Sequence, residues 1–181
     1  SGPTVADSTT SAAALVILKR YQIDIPENVA TWLSSSAAET IKPGDKILDG
    51  CEFHLVTTAK TALNAAANSA EKSGLNVLSL GDRIEGEASE VAKHHAELAR
   101  AITNGDHAIK PPCIILSGGE TTVTLKGNGR GGRNTEYLLS LANCLQGSSN
   151  IYALAADTDG IDGTEDNAGA ILSPNTWQRA A

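Results

Sequence analysis

Up to about Pro43 the apolar positions are sparse and helical in spacing. Ala14, Ile17, Leu18 and Tyr21 fall at i, i+3, i+4 and i+7, which predicts a helix after the polar loop 1–10, capped by Asp7, Ser8 or Thr9. Pro26 suits the first turn of a second short helix carrying Val29, Trp32 and Leu33. The polar run from Ser34 to Asp45 reads as a loop and a domain boundary.

From Phe53 the rhythm changes to alternating strand and helix. The pattern predicts a strand over 53–58, an alanine-rich helix over 60–73 stopped by Gly74, a strand over 76–80 and a loop over 81–86. A long helix over 87–103 follows, burying Ala88, Val91, His95, Leu98 and Ile102. Strands are expected over 113–116, 121–126 and 151–156. Between the last two lies a helix after Asn134 that buries Leu138, Leu141, Ala142 and Leu145. Near-continuous apolar strands alternating with helices predict an α/β fold: a helix-covered, mainly parallel, three-layer sheet, with a partial remnant of a preceding α/β domain before it. Ligands in such sheets sit at the carboxyl ends of the strands, which directs attention to loops 81–86, 117–120, 127–134 and 157–166.

The glycine-rich stretch is the densest of these. Gly127, Gly129, Gly131 and Gly132 surround Arg130 and lead through Arg133 to Asn134 and a helix. Glycine lets backbone N–H groups approach an anion, and arginine adds charge-assisted hydrogen bonds. The stretch therefore reads as a phosphate or nucleotide site built from Gly127, Gly129, Arg130, Gly131, Gly132 and Asn134. The spacing Gly127-x-Gly129-x-x-Gly132 also matches the dinucleotide fingerprint, with Asp157 as the ribose-binding acid, so a nicotinamide-dependent enzyme is a rival. The arginines fill places where such a loop has small or apolar residues. The plainer alternative is a glycine turn with solvated arginines.

Two further loops carry candidate chemistry. Ser117, Gly118, Gly119, Glu120 and Thr121 form a tight strand end suited to a substrate hydroxyl, or simply a turn with a solvated acid. Asp157-Thr-Asp159-Gly-Ile-Asp162 is a dense acidic loop in which one or two acids could meet Mg²⁺; otherwise the acids cap their own turn. Its spacing fails as a calcium loop, since Ala168 stands where a glutamate is required. His94 and His95 lie in a helix, with packing the better reading of His95.

Composition narrows the classes. Hydrophobic residues make up 41% of the 181 residues and aromatics only 3%, so the core must come from Ala, Leu, Ile and Val. A net charge of −7 argues against a nucleic-acid scaffold. Three widely spaced cysteines read as reduced thiols of a cytoplasmic protein, and no apolar run predicts a membrane span.

The motifs Gly81-Asp-Arg-Ile-Glu-Gly-Glu87, Leu116-Ser-Gly-Gly-Glu-Thr-Thr-Val123, Gly127-Asn-Gly-Arg-Gly-Gly-Arg-Asn-Thr-Glu136 and Asp157-Thr-Asp-Gly-Ile-Asp-Gly163, with Ser1-Gly-Pro-Thr4, together resemble class II glycerate kinases. These are the glycerate 2-kinases with a MOFRL region, some of which are labelled hydroxypyruvate reductase. The resemblance implies transfer of the ATP γ-phosphoryl group to D-glycerate with Mg²⁺, between two α/β domains. It implies a role in activity for Arg133; the chemistry of the residues themselves adds Asp157 and Asp159 as catalytic candidates, Asp157 and Asp162 as candidate metal contacts, and Ser117 to Thr121 as candidate substrate contacts. Residues 1–45 then correspond to a remnant of the first domain and 46–181 to the second, with a MOFRL-like part from about 112 to 181 truncated at its C-terminus. Such a piece lacks the family's catalytic lysine and is expected to be inactive alone. The partner is a small molecule, neither nucleic acid nor membrane, and a homodimer stays open. The alternatives are an NAD(P)-dependent hydroxypyruvate reductase and a phosphate-binding module without chemistry.

Overall fold

A computed structural model describes residues 4–180. The resemblance carried by Ser1-Gly-Pro-Thr4 falls almost wholly outside them. The chain divides into two compact units, Ser1–Val56 and Thr57–Ala181.

The first unit holds helices α1 (Ser11–Arg20) and α2 (Glu27–Leu33). Thr10, one residue beyond the predicted caps, accepts from Ala13 N at the start of α1. Asp7 instead takes Thr9 N at 2.8 Å. Glu39 accepts from both Ser11 N and Ser11 Oγ, so the loop 39–42 closes over the same helix end. Neither helix buries a residue among those described, and Ile17, Tyr21 and Trp32 remain exposed.

The expected strand over 53–58, which spans the boundary between the units, does not form; Phe53, Leu55 and Val56 of the first unit are exposed and lack a strand partner among the described residues. Helix α3 (Ala59–Lys72) follows, with Thr58 accepting from Thr61 N at its start. It ends when Leu75 N returns to Ala70 O and Gly74 N to Glu71 O, with Gly74 at φ +80°. Strands β1 (Asn76–Ser79) and β3 (Cys113–Leu116) pair in parallel. So do β2 (Ile84–Glu87) and β4 (Gly119–Thr122).

The segment 81–86, expected to be a loop, is thus partly strand. It pairs because Gly119 lets the two backbones meet: a Cβ there would lie 2.0 Å from Ile84 O. The strand expected over 121–126 correspondingly starts and ends early.

Helix α4 (Ala88–Asn104) packs on β2 and on α5 (Arg133–Leu145), and α5 packs on β5 (Ala153–Ala156) and β6 (Gly169–Leu172). The β5–β6 pair is antiparallel, and β6 was not anticipated. Hydrogen bonds therefore group the described strands into two parallel pairs and one antiparallel pair. The α/β class and the mainly parallel pairing stand, with backbone bonds from Leu80 N to Leu116 O and Gly118 N to Gly81 O linking the two parallel pairs. A short helix α6 (Thr176–Ala180) closes the described chain. Among the described residues no helix is long and apolar enough to cross a membrane.

The core lies where α4, α5 and β6 meet. Leu138, Leu141, Ala142 and Leu145 of α5 are buried as their spacing predicts. Each buried leucine contributes about 1.5–3 kcal/mol. On α4 the buried face is Ala88, Ala92, Ala96 and Ile102, while Val91, His95 and Leu98 are half-buried. Small alanines let the α5 backbone approach, so the contact centres on them and the larger side chains flank it.

His95 and Tyr137 join the two helices, with His95 Nδ1 2.8 Å from Tyr137 Oη and the rings edge to face. Burial, and then the neighbouring His94, hold the His95 imidazole below its ordinary pKa; burial pushes Tyr137 up to about 12. The unfolded chain thus takes up a proton on His95 at higher pH than the folded one. Stability should rise as pH climbs from the depressed folded pKa to the unfolded value of about 6.5, and His95→Gln should flatten that rise. Urea midpoints across this range check it.

Candidate functional site

The site grows from the start of α5. Gly132 N donates to Thr135 Oγ1 at 2.8 Å, and that hydroxyl donates back to Gly132 O. Asn134 N and Thr135 N, in the first turn, point at the carboxylate of Asp162. Oδ1 takes Asn134 N at 2.9 Å and Asn134 Nδ2 at 3.1 Å; Oδ2 takes Thr135 N at 2.8 Å. Asp162 is fully buried. Burial works to raise its pKa, but these donors outweigh it, and the net shift is downward. The approach is so close that a Cβ at Gly132 would sit 2.4 Å from Asp162 Oδ1, which explains this glycine without any appeal to φ.

This arrangement changes the expected phosphate site. The anion at the helix N-terminus is the protein's own carboxylate. Gly132 and Asn134 spend their backbone N–H groups inward, on Thr135 and Asp162. The positions left facing outward are Gly127, Gly129, Arg130 and Gly131, all exposed.

Both arginines are already paired. Arg133 NH2 donates to Asp157 Oδ2 at 2.8 Å, and NH1 donates to Glu120 Oε1. Three predicted residues from three elements thus meet: Glu120 in β4, Arg133 at the start of α5, and Asp157 just after β5. Arg130 lies further out and is held twice by Glu165, Nε to Oε1 at 3.1 Å and NH2 to Oε2 at 2.5 Å. Ser117 and Gly118 sit where β3 ends; Gly118 N donates to Gly81 O, and Ile84 N donates to Gly118 O. These bonds join the two loops at the carboxyl ends of β1 and β3. Thr121 lies in β4 one residue beyond Glu120.

Glu165 and Thr135 were not singled out by sequence. Glu165 is one acid among several in its loop, and Thr135 has an ordinary helix position. Another anchoring acid, Glu87, takes Thr124 N at 2.8 Å and Thr124 Oγ1 at 3.0 Å, which fixes the chain just before the glycine loop.

The acidic loop does not fit a metal cage. Asp162 is turned inward onto α5. Asp157 is committed to Arg133 and to Thr158 N, and Asp159 Oδ1 takes Ile161 N at 2.9 Å. Among the described residues no group of three His, Cys, Asp or Glu side chains could hold a metal ion. The metal contacts expected of Asp157 and Asp162 therefore find no support in this geometry. The self-capping turn accounts for Asp159.

Comparison with known proteins agrees with the fold and the motifs. The chain is 49% identical over 181 residues to an Agrobacterium vitis protein bearing the provisional name hydroxypyruvate reductase, covering 99% of this chain and 40% of that one. It is 34% identical over 176 residues to the D-glycerate 2-kinase of Thermotoga maritima, covering 97% of this chain and 40% of the relative. The crystal structure of glycerate kinase from Thermotoga maritima superposes with a TM-score of 0.72 at 34% identity, over 95% of this chain and 40% of that one. The chain thus spans about 40% of the length of these relatives. The MOFRL family model matches residues 113–181, which contain Glu120, the glycine loop, Arg133 and the acidic loop. The chain is thus similar to glycerate kinases and to relatives named hydroxypyruvate reductase, and its residues 113–181 match the MOFRL family.

Proposed function

We propose that this chain supplies the phosphate-handling part of a glycerate kinase, which transfers the γ-phosphoryl group of ATP to D-glycerate and yields 2- or 3-phosphoglycerate. The observation that carries the reading is Arg133, fixed between Glu120 and Asp157 where β4, β5 and α5 converge. A guanidinium has five N–H donors, so two carboxylates hold its plane and leave donors for a ligand. A transferring phosphoryl group spreads charge over its equatorial oxygens and gains most from cations already in position. Arg133 is such a cation, and Arg130 with the backbone of Gly127, Gly129 and Gly131 would hold the remaining phosphates. Glu120, with Ser117 to Thr121 around it, faces the same point and suits the glycerate hydroxyls. Mg²⁺ would come with the nucleotide, since it needs few protein ligands. No side chain of this chain is assigned to it.

The reductase reading is weaker on a specific ground. A dinucleotide pyrophosphate is held by N–H groups at a helix N-terminus. Here Asn134 N and Thr135 N already serve Asp162.

The reading is tested by ATP binding to the protein that carries this chain at the length of its relatives. The Arg130→Ala/Arg133→Ala double variant should lose most ATP affinity. Arg83→Ala, an exposed arginine outside the cluster, should keep it. Unchanged binding in the double variant would reject the site.

A further inference from the structure

The Arg130–Glu165 pair is lopsided. The Arg130 side chain is 84% exposed, whereas that of Glu165 is only 15% exposed. The acid is the anchored partner: Thr164 Oγ1 also reaches it at 3.3 Å. The arginine sits in a stretch of open backbone, where a Cβ added at Gly127 or Gly129 would meet nothing within 4 Å. A two-point contact from guanidinium to carboxylate has the same geometry as one from guanidinium to a phosphate.

We propose that Glu165 is a positioning residue of the phosphate site, an internal anion that parks Arg130 and competes for it with the nucleotide phosphates. This rests on the kinase reading above, in which Arg130 meets phosphate. On binding, the polyphosphate displaces the Glu165 carboxylate from Arg130; no covalent bond changes. Glu165 therefore lowers nucleotide affinity, because the polyphosphate must displace it from Arg130. The Arg130 hydrogen bond holds the Glu165 carboxyl below its usual pKa, so the competing charge is present throughout the neutral range.

The experiment is calorimetric titration of the full-length protein with ATP and, separately, with adenosine, at low and high salt. Glu165→Gln removes the competing charge and keeps the side chain's shape. It should tighten ATP binding about two- to fivefold at low salt, the range open to one exposed ion pair. Adenosine binding should not move, and the gain should shrink as salt screens the pair. In an Arg130→Ala background the gain should disappear. Weaker ATP binding by Glu165→Gln would overturn the proposal, because Glu165 would then be aligning Arg130 for the ligand. A gain that persists without Arg130 would overturn it too. If Arg130→Ala weakens ATP and Glu165→Gln changes nothing, the competition is absent and the phosphate reading survives. If Arg130→Ala costs no ATP affinity, the proposal falls, and the phosphate reading is left to Arg133.

Discussion

Replacing Arg133 with alanine in the full-length protein should lower kcat/KM for ATP-dependent phosphorylation by about a hundredfold or more, the cost of removing one fixed stabilising group from a transition state. Two effects combine. The cation that meets the developing charge is lost. In addition, Glu120 and Asp157, which Arg133 now neutralises, would face the incoming phosphates as bare carboxylates. Arg133→Lys should recover little, because an ammonium cannot span two acids in one plane. Steady-state kinetics decide this. A kcat/KM within about threefold of the parent would remove Arg133 from the chemistry, since it would leave under 1 kcal/mol for the residue to supply.

Replacing Asp162 with alanine should destabilise the domain by roughly 3 kcal/mol, a large fraction of a typical domain's stability. The variant leaves Asn134 N and Thr135 N without their acceptor in a buried place, at about 1–3 kcal/mol each. Asp162→Asn keeps one acceptor oxygen and should cost about half as much. Asp162 also carries a pH dependence. Its folded pKa is depressed, so its contribution is fully present above the unfolded value of about 3.9 and is lost as pH falls through the folded one. Urea unfolding measures both. A loss below about 1 kcal/mol for Asp162→Ala would mean that α5 does not depend on this cap.

The sequence revealed those elements in which local pattern and packing agree. Helix α5 was legible because large aliphatic residues mark one face, and that face is the core. The face of α4 was less legible, since its centre is alanine and hydrophobicity points to larger neighbours. The 53–58 run has strand composition but no partner among the described residues, and composition alone cannot supply one. Strand β6 is four residues long, and it exists because β5 offers an edge. At the site, residue types were legible and their partners were not. The loop after β5 offers several acids of equal standing. Only the fold sends Asp162 inward to α5, Asp157 to Arg133 and Glu165 to Arg130. The glycine loop likewise reads as one anion cradle. Its last glycine is instead the point where the acidic loop presses against α5.

The central claim is phosphoryl transfer, and phosphorus NMR tests it most directly. The protein carrying this chain, at the length of its relatives, is given ATP, Mg²⁺ and D-glycerate, and in parallel hydroxypyruvate with NADH. The account predicts that the γ-phosphate signal is replaced by a glycerate phosphomonoester as ADP appears, with NADH unconsumed. NADH oxidation without any ATP-dependent phosphomonoester would contradict it.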